Sequence, residues 1–335
     1  MHLVISHAAA PGPRCRAAST TLQLPHLQAL MQRAGRQSIH TGTSDSLNPL
    51  AEHLASGQSY EDGLVPWAAW LAQAKGLHAR GQHWALISPC NLQIHSDHVA
   101  MQDPTQWELP EDQAYALLAA MQPYFADDGI ALHWHSAQTW LAQGPIFEGL
   151  CTASLARVRA QAIDPWIPRQ SAAQNLRRLQ NEMQMLLYTH VVNDTRSARS
   201  QVPINGFWIS GTGSPLVDDA ITPPSAETLQ VLQALQALPE PMQSTLGPVT
   251  PNAIYVNALD ASALQDDAQA WTQAWQTLDS QVLAPLASQQ SGAALRISLC
   301  GTQRARSFHA GQASLWQRMR QKWSRPGLHH FTHDL

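Results

Sequence analysis

The sequence predicts an α/β protein with a mainly parallel sheet flanked by helices, and three stretches carry that expectation. Ile254 to Leu259 reads as a buried strand, Ala268 to Leu286 as a long helix and Leu295 to Leu299 as a further strand. Strand, helix, strand of this length argues for a right-handed parallel crossover. Leu176, Leu179, Met183, Leu186 and Leu187 recur at three- and four-residue steps, so the stretch from Asn175 forms a helix whose apolar face must pack on something. It leads through a polar connection to the β-rich run Ile204 to Ile209, closed by Gly211-Thr212-Gly213.

Composition bounds the function class. A chain of 335 residues with 44% apolar residues can hold one large or two medium domains with a proper core. Only 13% of residues are charged, about half the usual share, so Gln, Ser and Thr supply much of the polar surface. The net charge of −4 gives no global electrostatic reason to expect nucleic acid or an anionic membrane as partner. Cys15, Cys90, Cys151 and Cys300 are scattered without a C-x-x-C pair, which fits reduced thiols better than a disulfide framework or a zinc site. The opening MHLVISH has no basic region followed by a sustained apolar run, so a cytoplasmic protein without a membrane span is expected.

In chain order, His2 to Ser6 is a short buried strand, followed by a helix at Leu24 to Ala34 that Gly35 closes. Residues 40–57 combine loop chemistry with a short helix, and Tyr60 to Gln73 form a helix whose Trp67 and Trp70 pack into a core. Trp84 to Ser88 and Leu92 to Met101 are strands, and Ile130 to Trp134 is another. Between them Glu108 to Met121 is a helix, with Pro110, Glu111 and Asp112 favouring its amino end. His133 and His135 share a strand face but have no third ligand in view, so they read as polar surface and not as a metal site. Glu227 to Leu238 is an amphipathic helix ended by Pro239, and residues 316–325, WQRMRQKWSR, form a basic helix whose Trp316 and Trp323 stand a heptad apart. Residues 326–335 read as a mobile tail.

The densest chemistry lies between the helix at 175 and the strand at 204. His190, Asn193, Arg196 and Arg199 are donors or cations on a polar connection, followed by Asn205 on the strand and the glycine turn. Arg makes bidentate bonds to oxyanions and glycine lets backbone N–H groups come close, so the set suits a phosphate or carboxylate. The plain alternative is a helix, a surface loop and a buried strand. Arg304 and Arg306 stand just beyond the strand 295–299, where open α/β sheets bind ligands, and Arg304 or Arg199 is expected to share the anion with Arg196.

This same segment resembles the archaeal-type, metal-dependent, cofactor-independent phosphoglycerate mutases of the alkaline phosphatase superfamily. Their pattern runs approximately H-P-V-N-x-x-R, G-x-x-P-A-N and R-G-x-G. His190, Val192, Asn193, Arg196, Pro203, Asn205, Gly211 and Gly213 fall on it without a gap, while Val191, Ser200, Ile204 and Ser210 depart from it. The resemblance implies an alkaline-phosphatase-like core from residues 1–77 and 201–325, split by an inserted α+β module at 78–200, with the strand at 204 beside that at His2 or at Ile254. It also implies a phosphoryl-accepting serine, for which Ser44 in Thr43-Ser44-Asp45 is a candidate and Ser46 an equal one, and a two-metal centre of manganese or magnesium.

The metal ligands are largely missing. Val4 to Gly12 holds no carboxylate where the family's first metal-binding aspartate would follow its strand, Leu264 stands at a histidine position, and Cys300-Gly301 at an Asp-His position. Asp260 matches one ligand position, and Asp279 fits a recurring family aspartate of structural role. Oxygen-rich metal sites need several such groups. No cofactor is therefore expected, and the foremost reading is a degenerate, metal-free member that binds a small phosphorylated or carboxylated metabolite as a binding or regulatory protein. The alternatives are an active phosphomutase holding manganese or magnesium, and a scaffold that uses Trp-rich surfaces for a protein partner.

Overall fold

The structure is a computed structural model that describes residues 1–57, 60–170, 173–215, 231, 233–235, 253–288, 295–310 and 327–335. Its strands are β1 His2–Ile5, β2 Ala34–Thr41, β3 Trp84–Cys90, β4 Leu92–Ile94, β5 Val99–Met101, β6 Ala131–Ser136, β7 Thr139–Gln143, β8 Gly206–Ser210, β9 Ala253–Val256, β10 Leu295–Cys300 and β11 Arg304–Ala310. The fold is α/β, and the chain divides into two compact units. One comprises Met1–Asp45, Pro49–Ser59 and Ala220–Leu335, the other Ser46–Asn48 and Tyr60–Asp219.

The first unit is built on a five-stranded sheet in the order β2-β11-β10-β1-β9. β1 lies between β10 and β9 and is parallel to both, with Val4 opposite Ser298 and Tyr255. The expected crossover is present: from β9 the chain runs through helices Asp260–Leu264 and Ala268–Leu278, a π-helical turn at Asp279–Leu283 and the helix Ala284–Ser288, then enters β10. β11 and β2 extend this parallel centre antiparallel. Alternation sends Leu3, Ile5, Ile297, Leu299 and Phe308 into a core with Leu27, Leu30, Trp271, Trp275 and Leu278. The Asp279 carboxylate accepts the backbone N–H groups of His26 and Leu27 at 3.2 and 2.7 Å, satisfying donors at the start of the helix Pro25–Gln32. That matches the structural role implied for it.

Two local expectations change here. The helix closed by Gly35 stops at Gln32, and Gly35 belongs to β2, whose backbone groups are taken up by the β11 ladder. The expected mobile tail contains a helix, Leu328–Thr332, with Leu328 and Phe331 buried and Phe331 edge-on to Phe308 at 5.8 Å. Its apolar residues have a core to enter, which a solvated tail would not.

The second unit has an antiparallel sheet in the order β6-β7-β3-β8 and a β4-β5 hairpin in place of the single strand expected at Leu92 to Met101. The helices Glu111–Asp127 and Ala173–Tyr188 cover one sheet face, where Ile87, Trp140, Phe207 and Ile209 pack with Leu117, Phe125, Leu179 and Met183. The apolar stripe read from the sequence is the buried face of the second helix. β8 overturns a fold expectation. It lies beside neither β1 nor β9; it is the edge strand antiparallel to β3, with Ile209 opposite Ile87. Its alternation explains this, since Phe207 and Ile209 enter the helix-covered core. Trp208 faces the other way, onto Cys90 and Met101, and its indole N–H donates to Ala153 O at 2.9 Å. The second unit thus takes in residues 60–77 and 201–215 together with the described part of 78–200.

The basic helix expected at 316–325 lies outside the described residues. Of the helix at 227–238, residues 231 and 233–235 are described and are helical. No helix among the described residues is long and apolar enough to cross a membrane.

Candidate functional site

The polar cluster of the family-like motif is brought together, but as internal scaffolding of the second unit. His190 caps the helix Val191–Ala198, its Nδ1 accepting the Val192 N–H at 3.2 Å. Asn193 is buried, donates to Leu187 O and Ile204 O at 2.8 and 2.7 Å and accepts the Ile204 N–H at 2.8 Å. Arg196 is 1% exposed; its Nε donates to Val202 O at 2.6 Å and its two Nη atoms to Gln113 Oε1 and Glu108 O at 2.8 and 3.0 Å. The guanidinium lies over the Trp107 ring at 5.8 Å, and burial lowers its pKa from the ordinary arginine value. Asn205 exchanges two bonds with the Leu92 backbone, at 2.7 and 2.8 Å. These side chains satisfy backbone groups that helix and strand termini leave open. At His190, Asn193 and Arg196, where an anion site is expected, the structure places a loop-bracing network of internal hydrogen bonds. Arg199 stands exposed at the end of the helix and takes no part in it.

The remaining expected residues lie in the first unit. Ser44 is exposed and its hydroxyl donates to the neighbouring Asp45 carboxylate at 2.8 Å. Arg304 is exposed on β11 and donates at 3.4 Å to Asp334 O, while Arg306 pairs with the Asp334 carboxylate. Both arginines stand on β11, which returns antiparallel to β10.

Asp260 leads to a site that the motif does not contain. It is 2% exposed in the first turn after β9, and its Oδ1 lies 2.8 Å from Nδ1 of His7, which follows the end of β1. His7 has φ of 48°, a left-handed conformation uncommon for a residue with a Cβ. Trp271 Nε1 holds its carbonyl at 3.3 Å, and Ser6 Oγ lies 3.1 Å from the same Nδ1. Cys300 ends β10 nearby; burial raises its thiol far above the usual range and the Asp260 carboxylate adds to the shift. The carboxyl ends of the three parallel strands thus bring together Ser6, His7, Asp260 and Cys300, at the edge where open α/β sheets bind ligands.

That donor set does not fit manganese or magnesium. It contains a single carboxylate, already joined to an imidazole, and a protonated thiol, whereas both metals want several oxygen ligands. Among the described residues no three His, Cys, Asp or Glu side chains form a group suited to a metal.

A cavity of about 210 Å³ opens where the loop after β1, the turn after β10 and the carboxyl-terminal helix meet. Ala9, Ala10 and Trp271 supply its apolar wall, and Arg16, Ser19, Thr302, His329, Thr332 and His333 its polar one. Arg16 projects from the helix Pro13–Ser19, with one Nη donating to Pro11 O at 2.7 Å. His333 pairs with Asp334. One permanent cation, two imidazoles and three hydroxyls around a small volume can hold an oxyanion attached to a short polar body.

The sequence reading missed His7, Arg16, His329 and His333. His7 directly follows the first strand and could have been tested as a substitute for the missing aspartate. His329 and His333 are four residues apart, the spacing that places two side chains on one helical face.

No protein-family model matches the chain, and no curated protein matches it in sequence. Among solved structures it is similar to the PH0037 protein from Pyrococcus horikoshii, at 10% identity and a TM-score of 0.49, over 95% of this chain and 91% of that one. It is also similar to the cofactor-independent phosphoglycerate mutase from Thermoplasma acidophilum, at 12% identity and a TM-score of 0.38, over 93% of this chain and 90% of that one.

Proposed function

We propose that this chain is a phosphoglycerate-mutase-like protein that works without the metal centre and binds a small phosphorylated or carboxylated metabolite in the cavity beside β1 and β10. The observation that carries the reading is the His7–Asp260 contact. At the strand ends, where the resembled family would hold its metal, the residual carboxylate faces an imidazole 2.8 Å away. The adjoining cavity supports it, because Arg16, His329 and His333 supply positive or donor character without a metal ion.

The His7–Asp260 pair orients the imidazole through Nδ1 and fixes the loop that carries Ala9 and Ala10 into the cavity wall. Its part is to shape the site. Arg16 contributes the charge, and the hydroxyls of Ser19, Thr302 and Thr332 contribute orientation. Thermal melting with and without 3-phosphoglycerate, on wild type and Arg16→Gln, tests the reading. A charge-assisted hydrogen bond contributes about 1.5 to 3 kcal/mol, so the substitution should weaken the ligand's effect by at least about tenfold in concentration. An equal ligand-induced shift in both proteins would remove the cavity from the account.

A further inference from the structure

The first unit's sheet has a second face, polar along β10 and β11 and lined by the buried Val4 and Tyr255 on β1 and β9. Opposite the apolar core, the register sets His2, Arg296 and His309 abreast on β1, β10 and β11. In the next row on that face, Ser298, Ser307 and Ser38 stand side by side on β10, β11 and β2. Their side chains are joined. His2 Nε2 lies 2.7 Å from Ser298 Oγ, Ser298 Oγ 2.6 Å from Ser307 Oγ, and Ser307 Oγ 3.1 Å from His40 Nε2. Arg296 Nη2 donates to His40 Nε2 at 3.2 Å and to Ser307 Oγ at 3.3 Å. Ser298 and Ser307 are fully buried.

The helix Leu50–Ala55 packs against β1, β9 and β11 and carries the buried Glu52, while the hydrogen-bond partners of the Arg296 guanidinium are His40 and Ser307. Arg296 Nε is shut off from solvent and has no partner among the described residues. The groups that perturb His2 are Arg296, His309, the amino terminus and His40, and those that perturb His40 are Arg296 and His309; no carboxylate is among them. Burial first, and then these cations, lower His2 to about 3, and His40 moves down for the same reasons. Both imidazoles are therefore neutral at pH 7, and His40 uses Nε2 as an acceptor, so its proton sits on Nδ1. A desolvated guanidinium with an unpartnered Nε is costly, and Nε beside Nη2 is the pair that takes two oxygens of one anion once Nη2 turns from His40 and Ser307. A metal is the wrong occupant, because Arg296 stands among the imidazoles.

We infer that the sheet face around Arg296, with His2, His40, His309 and the Ser298–Ser307 pair, binds a tetrahedral oxyanion, inorganic phosphate or the phosphoryl group of a small ester. The guanidinium supplies the charge, and the serine hydroxyls and neutral imidazoles turn their protons toward it. This site is separate from the cavity lined by Arg16 and stands or falls without it.

The test is site-resolved. The full chain, with its histidine rings isotopically labelled, is titrated with inorganic phosphate and, in a second arm, with glycerol 3-phosphate, while the ring signals of His2 and His40 are followed by NMR. Saturable movement of both signals, with either pKa rising because an anion now faces it, is the expected result, and the tighter arm identifies the source of the group. In Arg296→Lys, which keeps the charge but not the fork, the half-saturating concentration should rise at least about tenfold. Ser298→Ala should raise it several-fold and serves if the Arg296 variant does not fold. Signals that stay still in both arms, or the same half-saturation in both folded variants as in wild type, would overturn the inference.

Discussion

Replacing Arg196 by Ala should cost stability and leave ligand affinity alone. The guanidinium makes three hydrogen bonds, to Val202 O, Gln113 Oε1 and Glu108 O, and is 1% exposed. Hydrogen bonds to a charged group contribute about 1.5 to 3 kcal/mol each, which summed naively is roughly 4.5 to 9 kcal/mol. The three share one side chain, and water enters part of the space left by truncation, so the terms do not add. Removing one partner of a buried charged network costs about 3 to 5 kcal/mol, and that range is expected here. It is a large part of the roughly 5 to 15 kcal/mol that stabilises a typical domain. Urea denaturation followed by tryptophan fluorescence reads the loss, with Trp107 under the guanidinium as a local reporter. Calorimetric titration with 3-phosphoglycerate at a temperature where the variant is folded should give the wild-type affinity. A stability change below about 1 kcal/mol, together with affinity weakened tenfold, would refute the bracing account and restore the motif as a ligand site.

Asp279→Ala should destabilise by about 1 to 3 kcal/mol, because the N–H of buried Leu27 loses its acceptor; chemical denaturation measures it, and a change under about 0.5 kcal/mol counts against the capping role. Phe331→Ala should cost about 3 to 5 kcal/mol if the carboxyl-terminal helix is part of the core, and a neutral result would mean that the segment is not docked. The pH dependence follows from His2. Its pKa is held near 3 in the folded chain against 6.5 without burial, so the unfolded chain binds the extra proton between those values. Its contribution to stability is complete above about pH 6.5 and falls as the pH drops toward 3. His2→Gln should flatten the stability profile across that window, and an unchanged slope would place His2 in solvent.

The sequence made the fold class legible because the relevant signals are local or periodic. The stripe from Leu176 to Leu187 buries one helical face, and the strand, helix, strand run from Ile254 to Leu299 forms the expected crossover, because neither pattern depends on a distant partner. β8 was misplaced because alternation tells which residues of a strand are buried but not which sheet receives them; Phe207 and Ile209 would have suited either core. The motif residues were legible as a set that belongs together. Their role was not, because an arginine that binds an anion and one that binds three acceptors of its own loop have the same spacing. Asp260 was found through the resemblance, while its partner His7 lies 253 residues away in the chain, a separation that no local pattern bridges. Arg16, His329 and His333 were missed for the same reason, since only the packed terminal helix brings them around one cavity.

The central claim is that the anion site works without metal. Calorimetric titration of 3-phosphoglycerate into the full chain, pre-treated with chelator and run in chelating buffer, tests it most directly. The account predicts saturable binding that is the same after manganese is restored. Binding that vanishes in chelator and returns with manganese would contradict it.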